Sequence, residues 1–176
     1  NMYENSIRVP ALFRHPGRIP AGAVQGAMAS MYDVCPTLLD YLGLPMPEGR
    51  DLVGGSFLPA LLGEPFADRE EVVIYDEYGN TRMIRTEECK YVRRYPDGPD
   101  ELWDLVGDPD ERENRIDDPS QAGRIAELQG RMEAWFAQYV RPEIDGARQD
   151  VTGLGQLRPV DRPGEGPAYQ QPGAET

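Results

Sequence analysis

The sequence predicts an α/β chain in two parts: a strand and a helix near one end, then a small antiparallel sheet closed by a second helix. Three observations carry this. Apolar residues run almost unbroken through residues 7–13 and recur at helical spacing through 30–42. Past residue 70 the period shortens to that of half-buried strands. Finally Ile125, Leu128, Met132, Trp135, Phe136 and Tyr139 recur every three or four residues, a stripe wide enough to cover one face of such a sheet.

Each element follows from its residues. In "IRVPALF", residues 7–13, β-branched and large apolar side chains predict a buried strand. Pro10 argues against a central antiparallel place, because it has no N–H for the ladder. Pro16-Gly17 starts a turn, and a Pro/Gly-containing loop runs to residue 29. "SMYDVCPTLLDYLGLP" is the clearest helix. Either Ser30 and Asp33 form a capping pair, or Asp33 is itself the cap with Pro36 in the tolerant first turn. Val34, Leu38, Leu39 and Leu42 share a face, and Gly43 followed by Pro45 ends the helix.

Residues 45–69 are a connector in which 58–62 make one helical turn or two. "EVVIYDEYG", "TRMIRTEECKYVRRYP" and "ELWDL" are short strands rich in Val, Ile, Tyr and Trp. Glu87-Glu88 sits where a tight hairpin reverses the chain, so a meander of three or four strands is the economical arrangement. The closing helix starts at Asp118 as cap with Pro119 at its first position. From residue 141 onward, eleven of 36 residues are Pro or Gly, a composition that predicts an extended tail rather than a packed element.

Composition excludes several functions. With 31 acidic and 18 basic residues the formal charge is −13, and no stripe of Lys or Arg exists to hold nucleic acid or an anionic lipid surface. No stretch approaches the ~20 apolar residues a membrane-spanning helix needs. Cys35 and Cys89 lack C-x-x-C spacing and read as two buried, reduced thiols, with a disulfide between them as the alternative. One histidine, His15, cannot build a His-rich metal site.

No stretch taken alone is a catalytic motif. Asp108, Asp110 and Glu111 lack the alternation of a calcium loop and read as a solvated turn. Arg82, Arg85, Arg93 and Arg94 read as the wet face of a half-buried sheet in preference to an anion site. His15 follows an apolar strand, a place where active-site groups occur in open α/β sheets.

The order of segments is more specific than any one of them. "YENSIRVPALFRHPGRIPAG", "YDVCPTLLDYLGLP", "EYGNTRMIRTEECKYVRRYPDGPDELWDLVGDPDERENR" and the final amphipathic helix together resemble the C-terminal third of a sulfatase of the alkaline phosphatase superfamily, of the arylsulfatase or choline-sulfatase kind. The resemblance covers roughly residues 1–140. It implies a large α/β/α sandwich followed by a small α+β domain, a four-stranded antiparallel sheet packed by a C-terminal helix. Residues 1–44 would be the last strand and helix of the sandwich, 45–69 a connector, 70–140 the small domain and 141–176 a tail.

The same resemblance implies a sulfuric ester hydrolase whose catalytic half lies before Asn1, so that this portion alone would be inactive. Its calcium ion and its formylglycine, made from Cys or Ser in a C-x-P-x-R or S-x-P-x-R setting, would both come from that half. Cys35 heads C-P-T-L-L and Cys89 heads C-K-Y-V-R, and neither fits the motif. What remains here is substrate-proximal: Tyr3, Glu4 and Asn5 in the tyrosine–glutamate loop, His15 after the strand, and Tyr78, Asn80 and Arg82 in the "EYGNTR" turn. The implied partners are a small-molecule or carbohydrate sulfate ester and the catalytic half, with homo-oligomerisation left open. Two alternatives stand beside this: a phosphonate or phosphate ester hydrolase on the same scaffold, and a stand-alone binding module without catalysis.

Overall fold

The computed structural model describes residues 2–48, 52–66, 69–76 and 80–148. The chain divides into two units, one of residues 3–72 and one of residues 73 onward together with the two N-terminal residues.

The first unit is helical. A single turn, α1 (Glu4–Ile7), is followed by irregular chain. The strand expected over residues 7–13 does not form, and Val9 and Leu12 are exposed. A strand is held by ladder bonds to a neighbour, and among the described residues no segment pairs with this one. The expected helix does form, entered through a 3-10 turn (Met31–Asp33) and continuing as α2 (Val34–Leu42). Of the two capping readings the capping pair is the one that forms, since the Asp33 side chain makes no cap bond to α2. Asp33 Oδ2 accepts the Ser30 N–H at 2.7 Å, while Asp33 is also the residue preceding α2 and Pro36 lies in its first turn. Gly43 ends the helix at φ +65°, the left-handed geometry that favours glycine. α3 (Leu58–Leu62) is the short helix expected in the connector.

α2 does not pack as its sequence pattern suggests. The buried residues are Asp33, Pro36 and Thr37, whereas Leu38 and Leu42 are exposed. The interior of this unit joins Pro36, Phe57 and Ala60 to the polar Asp33 and Thr37. Thr37 Oγ1 donates to the Asp33 carbonyl at 2.7 Å and accepts the Phe57 N–H at 3.0 Å, which ties the entrance of α3 to α2.

The second unit is the expected meander. Strands β1 (Glu71–Tyr75), β2 (Thr81–Thr86), β3 (Cys89–Arg94) and β4 (Glu101–Asp104) lie in the order β1-β2-β3-β4. β2 and β3 turn at Glu87-Glu88 and pair antiparallel with Ile84 opposite Tyr91 and Met83 opposite Val92. Alternate residues face opposite sides. Ile84, Cys89, Tyr91 and Leu102 meet Leu128, Met132 and Phe136 of α4 (Ala122–Tyr139), forming the core. Asp118 caps the turn leading into α4, its side chain accepting the Ser120 N–H at 2.9 Å, with Pro119 next.

The expected wet face is absent. Met83, Lys90, Val92 and Trp103, on the side away from α4, are buried as well. The arginines are distributed over both faces and each meets a carboxylate or carbonyl: Arg93 pairs with Asp100, Arg94 with Glu101 and Arg82 with Asp145, while Arg85 donates to the Thr86 carbonyl. The tail is not extended where it is described. Residues 142–144 and 146–148 form two 3-10 turns around the buried Asp145, and residues 149–176 lie outside the described part.

Candidate functional site

Tyr3, Glu4 and Asn5 are joined in one short element. Tyr3 precedes α1, and its carbonyl accepts the N–H groups of Ser6 at 2.8 Å and Ile7 at 3.1 Å. Tyr3 and Asn5 are exposed and Glu4 is half-buried. The sequence explains the turn: a polar, acidic start places negative charge at the positive end of the helix.

His15 has a partner that the sequence did not reveal. The Tyr41 hydroxyl of α2 hydrogen-bonds to His15 Nδ1, and the Arg18 guanidinium lies 4.2 Å from the centre of the Tyr41 ring. His15 and Arg18 come together because the 16–18 turn folds back, with Ile19 N–H donating to the His15 carbonyl at 2.9 Å. Imidazole, phenol and guanidinium thus form one exposed polar cluster.

Among the "EYGNTR" candidates, Tyr78 lies outside the described residues. Asn80 is half-buried, and its carbonyl accepts the Tyr95 N–H at 2.8 Å. Arg82 is buried. Its guanidinium pairs with Asp145, lies 3.8 Å from the centre of the Phe136 ring and 5.1 Å from that of Tyr95. This is a stacked arginine joining the sheet to the segment after α4.

Three polar groups carry more than the sequence indicated. Buried Asp33 accepts from Ser30, from the Gly55 N–H at 2.9 Å and from Arg69 Nη2 at 2.5 Å. Glu111, grouped above with a solvated turn, is buried against Lys90. Its neighbours do fit the solvated reading: Asp110 is exposed and pairs with Arg112, and Asp108 accepts the Arg112 and Glu113 N–H groups at 2.6 and 2.9 Å. Lys90 is fully buried, and nothing in C-K-Y-V-R-R, half of it basic, sets it apart from the arginines that follow. At the next residue of β3, burial and then Asp100 push the Tyr91 phenol up to about 12, its hydroxyl donating to Asp100 Oδ2 at 3.0 Å. A cleft of about 280 Å³ lies between β4 and the start of α4, lined by Cys89, Leu102, Arg115 and Arg124 among others, and holds none of the candidates.

Residues 1–138 match the family model described as N-sulphoglucosamine sulphohydrolase, C-terminal. The chain belongs to that family. Arylsulfatase K of Homo sapiens is 37% identical over 129 residues, which cover 65% of this chain and 23% of that protein. A structure described as in complex with its substrate D-glucosamine-2-N,6-O-disulfate superposes with a TM-score of 0.63 at 28% identity, covering 78% of this chain and 29% of the other. The phosphonate monoester hydrolase of Silicibacter pomeroyi follows at a TM-score of 0.58 and 27% identity, with 72% and 28% covered. The chain therefore spans about a quarter of the length of the curated relative it matches.

The calcium and formylglycine implied by the family do not fit the residues described. Among them no three His, Cys, Asp or Glu side chains converge on a point where a metal ion would sit. Cys35 is an exposed free thiol on α2, which corrects the expectation that it is buried, and Cys89 is buried as expected and hydrogen-bonds with Thr86.

Proposed function

We propose that this chain is the C-terminal part of a sulfatase that hydrolyses sulfate esters of a carbohydrate. The observation that carries the reading is the match of residues 1–138 to the sulphohydrolase C-terminal family. The arylsulfatase relative and the neighbour described with a glucosamine disulfate support the sulfate and the sugar respectively.

In this reading residues 1–44 supply the last helix of an α/β/α sandwich and a segment, residues 7–13, that becomes its last strand only beside strands elsewhere in the polypeptide. The apolar side chains exposed at Val9, Leu12, Leu38 and Leu42 support it, because they are what such a layer covers. Residues 45–69 connect it to the small domain of residues 70–140. Calcium and formylglycine are assigned to the remainder of the polypeptide. We assign contact with the sugar to Tyr3, Glu4, Asn5 and His15 in the first unit and to Asn80 in the second, and Tyr78, outside the described residues, keeps that assignment from the sequence alone. Arg82, buried against Asp145, serves by holding its strand.

The test is hydrolysis by the complete polypeptide. Glucosamine 6-O-sulfate is expected to release sulfate faster than a phosphonate monoester releases its alcohol. The reverse preference would replace this reading with the phosphonate hydrolase, which the Silicibacter pomeroyi neighbour supports. Residues 1–176 alone are expected to release no sulfate above background, and turnover by them would overturn the assignment of the nucleophile to another part.

A further inference from the structure

Lys90 lies in β3 on the side away from α4, with its side chain fully buried. An ammonium removed from water needs acceptors for its protons. Two come from distant parts of the chain. Glu111, brought in by the loop after β4, pairs with it, and the main-chain carbonyl of Met2 accepts from Nζ at 2.6 Å. Glu111 keeps this place at φ +54°, a left-handed conformation uncommon for a side chain of its kind. Met2 is buried too. The next residue is Tyr3, whose carbonyl starts the hydrogen bonds of α1.

We infer that Lys90, held by Glu111, is a positioning residue that fixes where the chain enters Tyr3, Glu4 and Asn5, and so acts on substrate binding without touching substrate. The inference rests on the reading of that segment as substrate-proximal in a sulfatase. A buried ammonium needs more than its carboxylate, and here the further acceptor is the main chain of Met2, one residue before the candidate segment, so the bond that satisfies the charge also ties that backbone down.

The experiment compares Glu111→Gln with the double variant Lys90→Met, Glu111→Gln. The first leaves an amine to bond Met2. The second removes both charges at nearly constant volume, which avoids an unpaired buried carboxylate. In the double variant, amide exchange at Ser6, Ile7 and Arg8 should quicken by about tenfold or more, while Ile84 and Val92 keep their protection. In the complete polypeptide its KM for glucosamine 6-O-sulfate should rise about fivefold or more with kcat within about twofold, the signature of lost binding. Glu111→Gln alone, which leaves the buried amine bonded to Met2 but without its counter-charge, should move both in the same direction and by less than the double variant. Unchanged exchange at residues 6–8 overturns the anchor. Faster exchange with an unchanged KM overturns the positioning role. Should the wild-type polypeptide hydrolyse no sulfate ester, the sulfatase reading falls, and the exchange data still decide whether Lys90 anchors the segment.

Discussion

Asp33 accepts hydrogen bonds from Ser30, Gly55 and Arg69, three points spread over 40 residues of chain, and the main chain around Gly54 closes down on it. A Cβ at Gly54 would stand 2.1 Å from the Tyr32 carbonyl oxygen, a main-chain atom that cannot rotate away. Gly54→Ala is therefore expected to cost the first unit about 3 kcal/mol, the upper end for forced overpacking. The neighbouring Gly55 has open space around the same position, so Gly55→Ala should stay within about 0.5 kcal/mol. Amide exchange along α2 is the measurement, because both tryptophans belong to the other unit and fluorescence would miss the change. Equal effects of the two variants would mean that this close approach does not hold the unit together.

Helix α4 shows how an apolar stripe is divided between core and rim. Leu128, Met132 and Phe136 are buried among the strands, whereas Trp135 is only partly buried, its ring edge-on to Phe136 and tilted against Tyr139 with centres 5.0 Å apart in each case. The sequence pattern makes Trp135 the natural centre of the stripe, but an indole is too large to be enclosed at a helix edge and is rarely buried completely. Phe136→Ala is thus expected to cost about 3–5 kcal/mol and Trp135→Ala clearly less, with Glu133→Ala within about 0.5 kcal/mol. Denaturant melts of the three variants decide the order, and a larger loss at Trp135 would return it to the core. The start of the same helix has a pH signature. The Ser120 hydroxyl, then Arg115 and the Ser120 N–H hold the Asp118 carboxyl down at about 2. A carboxyl depressed in the folded state stabilises above its unfolded value near 3.8 and loses that contribution as pH falls through about 2. The gap in melting temperature between wild type and Asp118→Ala should therefore be full above pH 4 and shrink between about 4 and 2. A gap independent of pH would show that the charge plays no part.

At the scale of the chain, large apolar side chains stand open to water in the first unit: Leu12 at 95%, Val24 at 91%, Met31 at 73% and Leu42 at 65% relative exposure. Covering apolar surface contributes roughly 25 cal/mol per Å², so these residues favour contact with any surface that hides them. Purified residues 1–176 should bind a hydrophobic dye and self-associate as concentration rises, despite a charge of −13 that opposes it. Leu42→Asp should weaken both, and a monodisperse chain without dye binding at every concentration would show that these side chains are not an association surface.

The sequence by itself determined the parts held by local chemistry. α2 stops at Gly43, the helical turn that leads into α4 starts at Asp118 and Pro119, and the meander appears in order because each turn joins neighbouring strands. The order of segments also led to the sulfatase family. Tertiary structure decided what depends on distant partners. Residues 7–13 have a strand's composition but form none, because ladder bonds need a neighbouring strand. Lys90, Glu111, Asp145 and Asp33 look like surface charges in the sequence, yet all are buried. Burial of a charge is tolerable only when a counter-charge or a main-chain donor or acceptor arrives beside it. The distant arrivals come from residues 21 (Lys90 to Glu111, 111 − 90) to 88 positions away, a distance no local pattern records.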